Sequence, residues 1–276
     1  MRALRNTRWG RTIEAFRRRH IAIPVDASAL VLDVGSGDKP HWRADVLLDR
    51  YPEAGHARQR SGRATARVTR PLFDADAAAM PFADHVFDYA ICSHVLEHVP
   101  DPAAVVSELT RVARAGYIEV PEAASAKILD FPSHLWWCRR DGTQLVFTAN
   151  SSRHFDAEIG GYIESAGMER RLAALLDSEF DARVIAHPWR GIVDVRVDGT
   201  PDPELLASAR ARDAPSHDGG SRGEELLART LTAALTFPRR RDRRRDPVRF
   251  DDIVRPDLRR GTDETLEPRI YRVVAP

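Results

Sequence analysis

Residues 29–37, Ala-Leu-Val-Leu-Asp-Val-Gly-Ser-Gly, decide how the rest of the chain is read. From Ala29 to Val34 the stretch is apolar on both alternating faces apart from Asp33. That is the pattern of a strand buried on both sides of a parallel sheet. It runs straight into Gly35 and Gly37. A glycine-rich turn at the carboxyl end of such a strand lets backbone approach a nucleotide closely, because glycine carries no Cβ. The dinucleotide fingerprint G-x-G-x-x-G places a third glycine where Pro40 stands. The pair Gly35 and Gly37 therefore fits either a nucleotide site or a plain tight turn.

Outward from this stretch, Ala44–Asp49 reads as a second strand, Pro71–Asp76 as a third and Phe87–Cys92 as a fourth. Residues 52–70, rich in Arg, Gly and Ser, read as a loop. Asp101 and Pro102 supply an N-cap and a first-turn proline. The helix they open carries Val105, Val106, Leu109 and Val112 on one face and stops near Gly116. Tyr117–Val120 is a fifth strand. Strands alternating with helical connections predict a doubly wound, mostly parallel α/β sheet. Ala182–Val197 reads as two strands, the final hairpin of that sheet, and Asp156–Gly167 as a helix stopped by glycine. Phe131, Trp136, Trp137 and Phe147 form an aromatic cluster that predicts a lid over a site. The chain divides into a basic N-terminal helix at 1–27, a ligand-binding domain at 28–199, and an irregular, arginine-rich appendage at 200–276, partly without fixed structure and with a helical patch at Glu224–Leu235.

The 276 residues carry 42 basic and 41 acidic side chains, a net charge of +1, which gives no global reason for nucleic acid or an anionic membrane as partner. The charge is nevertheless segregated. Residues 1–20 hold seven arginines against Glu14, and residues 56–70 hold five with no acid. Residues 71–110 hold seven acids with no Lys or Arg, and residues 237–260 hold ten arginines with five aspartates. The last stretch reads as a solvated tail in preference to a nucleic-acid arm. The first reads as a helix packed on the main domain in preference to one lying on a membrane surface. Cys92 and Cys138 are the two cysteines, too few for a disulfide framework or a cysteine-built zinc module. No apolar run approaches the ~20 residues of a membrane span. The basic N-terminus lacks the apolar core of a secretory signal. A soluble, cytoplasmic protein is expected.

The chemistry-bearing residues come in order along the chain. Asp33 lies inside the end of the first strand. Asp49 ends the second, where an acid accepts both hydroxyls of a ribose or caps a turn before Pro52. Asp-Ala-Ala-Ala-Met-Pro-Phe at 76–82 is followed by Phe-Asp-Tyr-Ala-Ile-Cys-Ser-His-Val-Leu-Glu-His-Val at 87–99. This ordered set, from about Leu30 to Pro121, resembles the class I S-adenosylmethionine-dependent methyltransferases, specifically the type 11 methyltransferase domain, over roughly a third of the chain. The resemblance implies a Rossmann-like, mostly parallel seven-stranded sheet and S-adenosyl-L-methionine as cofactor. It implies that Asp33, Gly35 and Gly37 line the methionine half and that Asp49 binds the ribose. Asp76 would accept from the adenine amino group, with the Ala77 backbone beside it. Ser93 and His94 would sit at the end of the fourth strand, under the sulfonium. Lys39 stands where many members carry a third glycine, and Pro40 lies in a short stretch before Asp49. The first helix is therefore expected to be truncated or replaced by loop. A cationic sulfonium suits the acidic block at 71–110.

Methyl transfer from a sulfonium mainly requires the nucleophile to be held in line, ~3 Å from the methyl. A hydroxyl nucleophile also needs a base. His94, Glu97 and His98 are spaced i, i+3, i+4 and share one face if helical. His94 is the first candidate for the base, because histidine titrates near neutral pH, and His98 stands beside it as a second catalytic candidate. A competing reading makes the trio a site for zinc, manganese or iron. In a third reading Glu97 and His98 are structural. No metal is assigned. His134 and His154, in the expected lid, rank behind them as bases. Ser93 lacks the G-x-S-x-G elbow of a hydrolase nucleophile. Glu119 and Glu122, at the same sheet edge, read as solvated loop residues in preference to substrate contacts.

The favoured function is O-methylation of a small molecule or of a glycan or lipid-linked sugar, with Trp136 and Trp137 stacking on it. The rivals are a non-catalytic module that binds the same cofactor, a nicotinamide-dependent oxidoreductase, and an RNA methyltransferase that uses the arginine tail. Pro40 argues against the oxidoreductase. Nucleic acid is not expected as a partner, peripheral membrane contact stays open, and the residues do not indicate an oligomeric state.

Overall fold

The computed structural model describes Glu14, Phe16, Arg17 and residues 22–53, 56, 65–128, 133–150, 162–163, 165–168, 171–172, 180–210, 222–241 and 247–273. Most of the basic N-terminal helix and of the Asp156–Gly167 helix, together with Phe131 and His154, lie outside the described residues.

Two apolar runs, Val31–Val34 (β1) and Val46–Asp49 (β2), are buried along their whole length, as central parallel strands should be. Leu72–Asp74 (β3), Tyr89–Ser93 (β4) and Ala115–Pro121 (β5) follow. The helix Pro102–Val112 (α1) opens as its sequence requires: the Ala104 N–H donates to Asp101 Oδ1 at 2.9 Å, and Pro102 occupies the first turn. Ala123–Ile128 (α2), Trp136–Asp141 (β6) and Gln144–Ala149 (β7) come next, then Phe180–Arg183 (α3), Val184–Arg190 (β8) and Val195–Asp198 (β9). The chain closes with Pro203–Arg210 (α4), Arg222–Arg241 (α5), Phe250–Ile253 (α6) and Ile270–Arg272 (β10).

Seven strands pair in the order β10–β3–β2–β1–β4–β5–β8. All run parallel except β8, which is antiparallel to β5. The expected mostly parallel seven-stranded Rossmann-like sheet is present. From β1 the chain builds outward through β2 and β3 on one side and through β4 and β5 on the other. The topological switch point therefore lies at the carboxyl ends of β1 and β4, where open α/β sheets bind their ligands.

Three expectations change. The expected final hairpin is split: β8 joins the main sheet, whereas β9 joins β6 and β7 in a separate sheet of order β6–β7–β9. The expected lid is instead part of the protein interior. Trp136, Trp137 and Phe147 lie on β6 and β7 and are 2%, 4% and 0% exposed, so burial of large apolar surface, not coverage of a ligand, explains their clustering. The boundary drawn at residue 200 also moves, because the end of the chain returns to the main core. Tyr271 on β10 stacks on Phe73 with ring centroids 5.3 Å apart, and Phe250 lies 6.0 Å from the same ring. Such aromatic pairs are favourable beyond the area they bury. β10 supplies the outer edge of the sheet, pairing Tyr271 with Phe73 in register.

Arg111 explains why the Met80-Pro81-Phe82 run keeps its place. Its guanidinium donates to the carbonyls of Phe82 (2.8 Å) and Met80 (3.1 Å) and to Glu108 and Asp84, while Glu108 Oε2 accepts the Met80 N–H at 2.6 Å. The strand-three turn is thus clamped to α1.

Candidate functional site

The site is assembled at the carboxyl edge of the sheet. Gly35 and Gly37 both take positive φ, +68° and +50°, directly after β1. A Cβ on Gly35 would stand 2.2 Å from Val95 Cγ2, so the turn after β1 and the turn after β4 approach closer than any other residue allows. No helix follows the glycine turn up to β2, in agreement with the expected loss of the first helix. Lys39 closes a turn there, its N–H donating to Ser36 O at 3.3 Å.

Three acids stand near adjacent strand ends. Asp33 is 6% exposed and accepts the His41 N–H at 2.7 Å. Burial pushes its carboxyl up to about 7, the His41 hydrogen bond opposes the rise, and nearby Asp49 adds to it. Asp49 accepts the Gly37 N–H at Oδ2 (2.9 Å) and the Tyr51 N–H at Oδ1 (2.8 Å), which fixes the acid against the glycine turn. Asp76 follows β3, accepts the Ala78 N–H at 2.9 Å and is ion-paired with Arg50. Ala77 beside it is buried. A cavity of about 180 Å³, lined in part by Arg50, Tyr51, Asp74 and Arg272, opens beside this pair.

Across the switch point, Ser93 ends β4 and its hydroxyl donates to Glu119 Oε1 at 3.2 Å. His94 follows with φ +55°, a conformation uncommon for a non-glycine residue. Its N–H donates to the Glu119 carbonyl at 2.8 Å. Both ring nitrogens face carboxylates: Nδ1 lies 3.1 Å from Glu97 Oε1, and Nε2 lies 3.1 Å from Glu119 Oε1. Glu97 is 0% exposed. Burial acts to raise its carboxyl, but the His94 hydrogen bond and the nearby His98 and His134 hold it below its ordinary value.

The expected helix over 94–98 is a turn, with the His98 N–H donating to Val95 O at 2.9 Å. The i, i+3, i+4 trio therefore separates around Glu97. His94 turns Nε2 toward Glu119 on β5. His98 turns the other way, with Nδ1 3.1 Å from Ser133 O and its ring 4.9 Å from that of His134. Burial lowers the titration of His98 and pushes His134 down to about 3. His98, expected as a catalytic candidate, thus sits behind Glu97 instead of beside His94. His134 belongs to this cluster and not to a lid.

Glu119, expected to be solvated, is 1% exposed and also accepts the Tyr117 hydroxyl at 2.6 Å. The signal for it is register: Ser93 pairs with Glu119 across β4 and β5, which places Glu119 beside the residue that precedes His94. Glu122 serves as a helix cap, accepting the Ala124 N–H at 2.7 Å. Arg50, next to Asp49, carried no sequence signal and pairs with Asp76 only through the turn geometry.

Residues 45–118, which hold Asp49, Asp76, Ser93 and His94, match the family model described as a methyltransferase domain. Over these residues the chain is similar to the type 11 methyltransferase domain. The chain also aligns with uncharacterized methyltransferases, one from Mycobacterium avium strain 104 at 36% identity over 101 residues and one from Mycobacteroides abscessus ATCC 19977 at 33% over 99 residues. The alignments cover 34% and 33% of this chain and 39% and 38% of those proteins, so the chain spans about two fifths of the length of the curated relatives it matches. Among solved structures it is similar to YcgJ from Bacillus subtilis, at 17% identity and a TM-score of 0.31, with 44% of this chain and 61% of that one covered. The strand order itself establishes the fold. Among the described residues no helix is long and apolar enough to cross a membrane.

Proposed function

We propose that this chain binds S-adenosyl-L-methionine across the carboxyl ends of β1, β2 and β3 and methylates a hydroxyl of a small molecule or of a glycan or lipid-linked sugar. The observation that carries the reading is the row Asp33, Asp49 and Asp76 near the ends of neighbouring strands, with His94 just past the end of β4, the next strand in the sheet. The residues fit the cofactor in charge as well as position. Asp33 is a buried carboxyl with no fixed cation in its hydrogen bonds, and a positive group beside it would favour its ionised form. When bound, S-adenosyl-L-methionine supplies a methyl group on a positively charged sulfur with a thioether as leaving group.

The remaining work falls to the chain. The Gly35–Gly37 turn keeps backbone close to the methionine half, and Asp49 is oriented by two backbone N–H groups toward the ribose position. Asp76 meets the adenine amino group once Arg50, whose side chain is 54% exposed, swings into solvent. Ser93 and His94 lie where the methyl group meets its acceptor. His94 takes the proton that an attacking hydroxyl must shed. Glu97, itself buried, lies 3.1 Å from Nδ1 and keeps the ring from turning.

Calorimetric titration of the full chain with S-adenosyl-L-methionine, with NADH run alongside, tests the binding half. Incubation with methyl-labelled cofactor and fractionated cell extract tests the acceptor. Saturable binding and label in a small-molecule, glycan or lipid fraction are expected. Absence of binding at millimolar cofactor would sink the proposal. Binding with no labelled product in any fraction would leave a cofactor-binding module, and label in RNA would overturn the acceptor class.

A further inference from the structure

We propose that Glu97, His98 and His134 form a binding site for one divalent first-row transition-metal ion, behind the methyl-transfer edge. Each of the three offers one ligand atom, and those atoms lie within 4.8 Å of one another. The set is two imidazoles and one carboxylate, a donor combination that suits zinc, manganese, cobalt or iron far better than magnesium or calcium.

Three further features point to an ion and not only to a packed polar cluster. First, His98 is held as a metal-ligating histidine is held: its Nδ1 lies 3.1 Å from Ser133 O and 2.9 Å from Ser133 Oγ, which turns Nε2 toward Glu97. Second, Nε2 stands 3.8 Å from Glu97 Oε1, too far for a hydrogen bond. Donors bound to one ion at ~2.1 Å each stand ~3.0–3.5 Å apart, so a small inward movement closes that gap around a metal. Third, the Glu97 carboxylate keeps coordinating capacity. One oxygen serves His94, while Oε2 is buried and accepts no hydrogen bond. An unanswered buried carboxylate oxygen is costly, and a cation answers it.

The site would also join two parts of the fold. Glu97 and His98 belong to the turn after β4, whereas His134 precedes β6 of the small sheet. The two segments already touch through the Leu135 N–H to Glu97 O (2.7 Å) and the Trp136 indole N–H to Val99 O (2.8 Å). An ion here pins the small sheet to the turn that carries His94.

The test uses the full chain, stripped with chelator and dialysed. Titration with Co2+ should give one equivalent per chain and a visible d–d absorption band that Zn2+ displaces, and Zn2+ should raise the melting temperature where Mg2+ does not. His134→Ala and His98→Ala should each weaken Co2+ binding by about 100-fold or more, with an unchanged circular-dichroism spectrum. Should either variant fail to fold, the unaltered chain decides: absence of a stoichiometric Co2+ band overturns the site. Equal Co2+ binding by the wild-type chain and both folded variants overturns it as well. Neither readout depends on methyl transfer, so a failed metal titration leaves the proposed activity untouched, and a failed cofactor titration leaves the metal site untouched.

Discussion

The two ends of the sheet treat buried charge in opposite ways. At the amino end, Arg43 and Asp45 are each 4% exposed at the side chain and pair at 3.0 Å. Asp45 also accepts the Val31 N–H at 2.9 Å, and Arg43 donates to the carbonyls of Asp26 (2.9 Å) and Ala29 (2.7 Å). The Arg43 side chain there meets a carboxylate and backbone carbonyls. At the carboxyl end, Asp33 and Glu97 are just as buried but are met by a backbone N–H and by imidazoles. Their charge state depends on what else is near. A buried charge closed by a fixed counterion serves folding, because desolvation has already been offset within the chain. One left to titrating partners keeps free energy that a ligand can release.

Breaking the closed pair should have the largest effect. Arg43→Ala leaves Asp45 buried without its cation and should lower unfolding stability by about 3–5 kcal/mol, read by urea denaturation, while the folded fraction keeps its cofactor affinity. A loss of affinity without a loss of stability would erase the distinction between the two ends. His94→Gln should do the reverse: turnover should fall by about 10²–10⁴, with melting temperature and cofactor affinity kept. Undiminished turnover would remove His94 as the base.

Asp33 sharpens the contrast through pH. Its ordinary carboxyl value of 3.8 is raised to about 7 in the folded chain. The folded state therefore holds this proton where the unfolded state has lost it. The stability it contributes is present on the acid side and declines as pH rises from about 4 to about 7. A cationic ligand prefers the ionised form, so S-adenosyl-L-methionine should bind about tenfold more tightly at pH 8 than at pH 6. Asp33→Asn should flatten both profiles; a pH-dependent affinity that survives the substitution would assign the effect to another group. The smallest effect belongs to an exposed helix cap. Asp101→Ala removes the α1 cap and should cost about 1 kcal/mol in thermal unfolding, with neither turnover nor cofactor affinity changed.

Much of the central sheet was legible because its signals are local. Val31–Val34 and Val46–Asp49 are apolar on both faces, Gly35 and Gly37 mark the turn, and Asp101-Pro102 opens α1 as its chemistry demands. The acids at the strand ends were equally plain, because position at the end of a strand fixes which edge of the sheet a residue occupies. The aromatic run at 136–147 was misleading for a physical reason: buried aromatics and ligand-stacking aromatics look alike until the neighbours are known, and Trp136 and Trp137 turned out to have protein neighbours. Residues 250–272 were hidden for a similar reason, since strand Ile270–Arg272 has three residues and almost no periodicity of its own.

The sequence by itself determined the parallel sheet, its glycine turn and the row Asp33, Asp49 and Asp76, because strand patterning and turn chemistry act within a few residues. Tertiary structure alone decided which distant groups meet. It brought Glu119 under His94 through the pairing of β4 with β5, set His134 beside His98, and returned Tyr271 to Phe73. Those encounters follow from register and packing across elements, where no local pattern records which side chain will lie opposite.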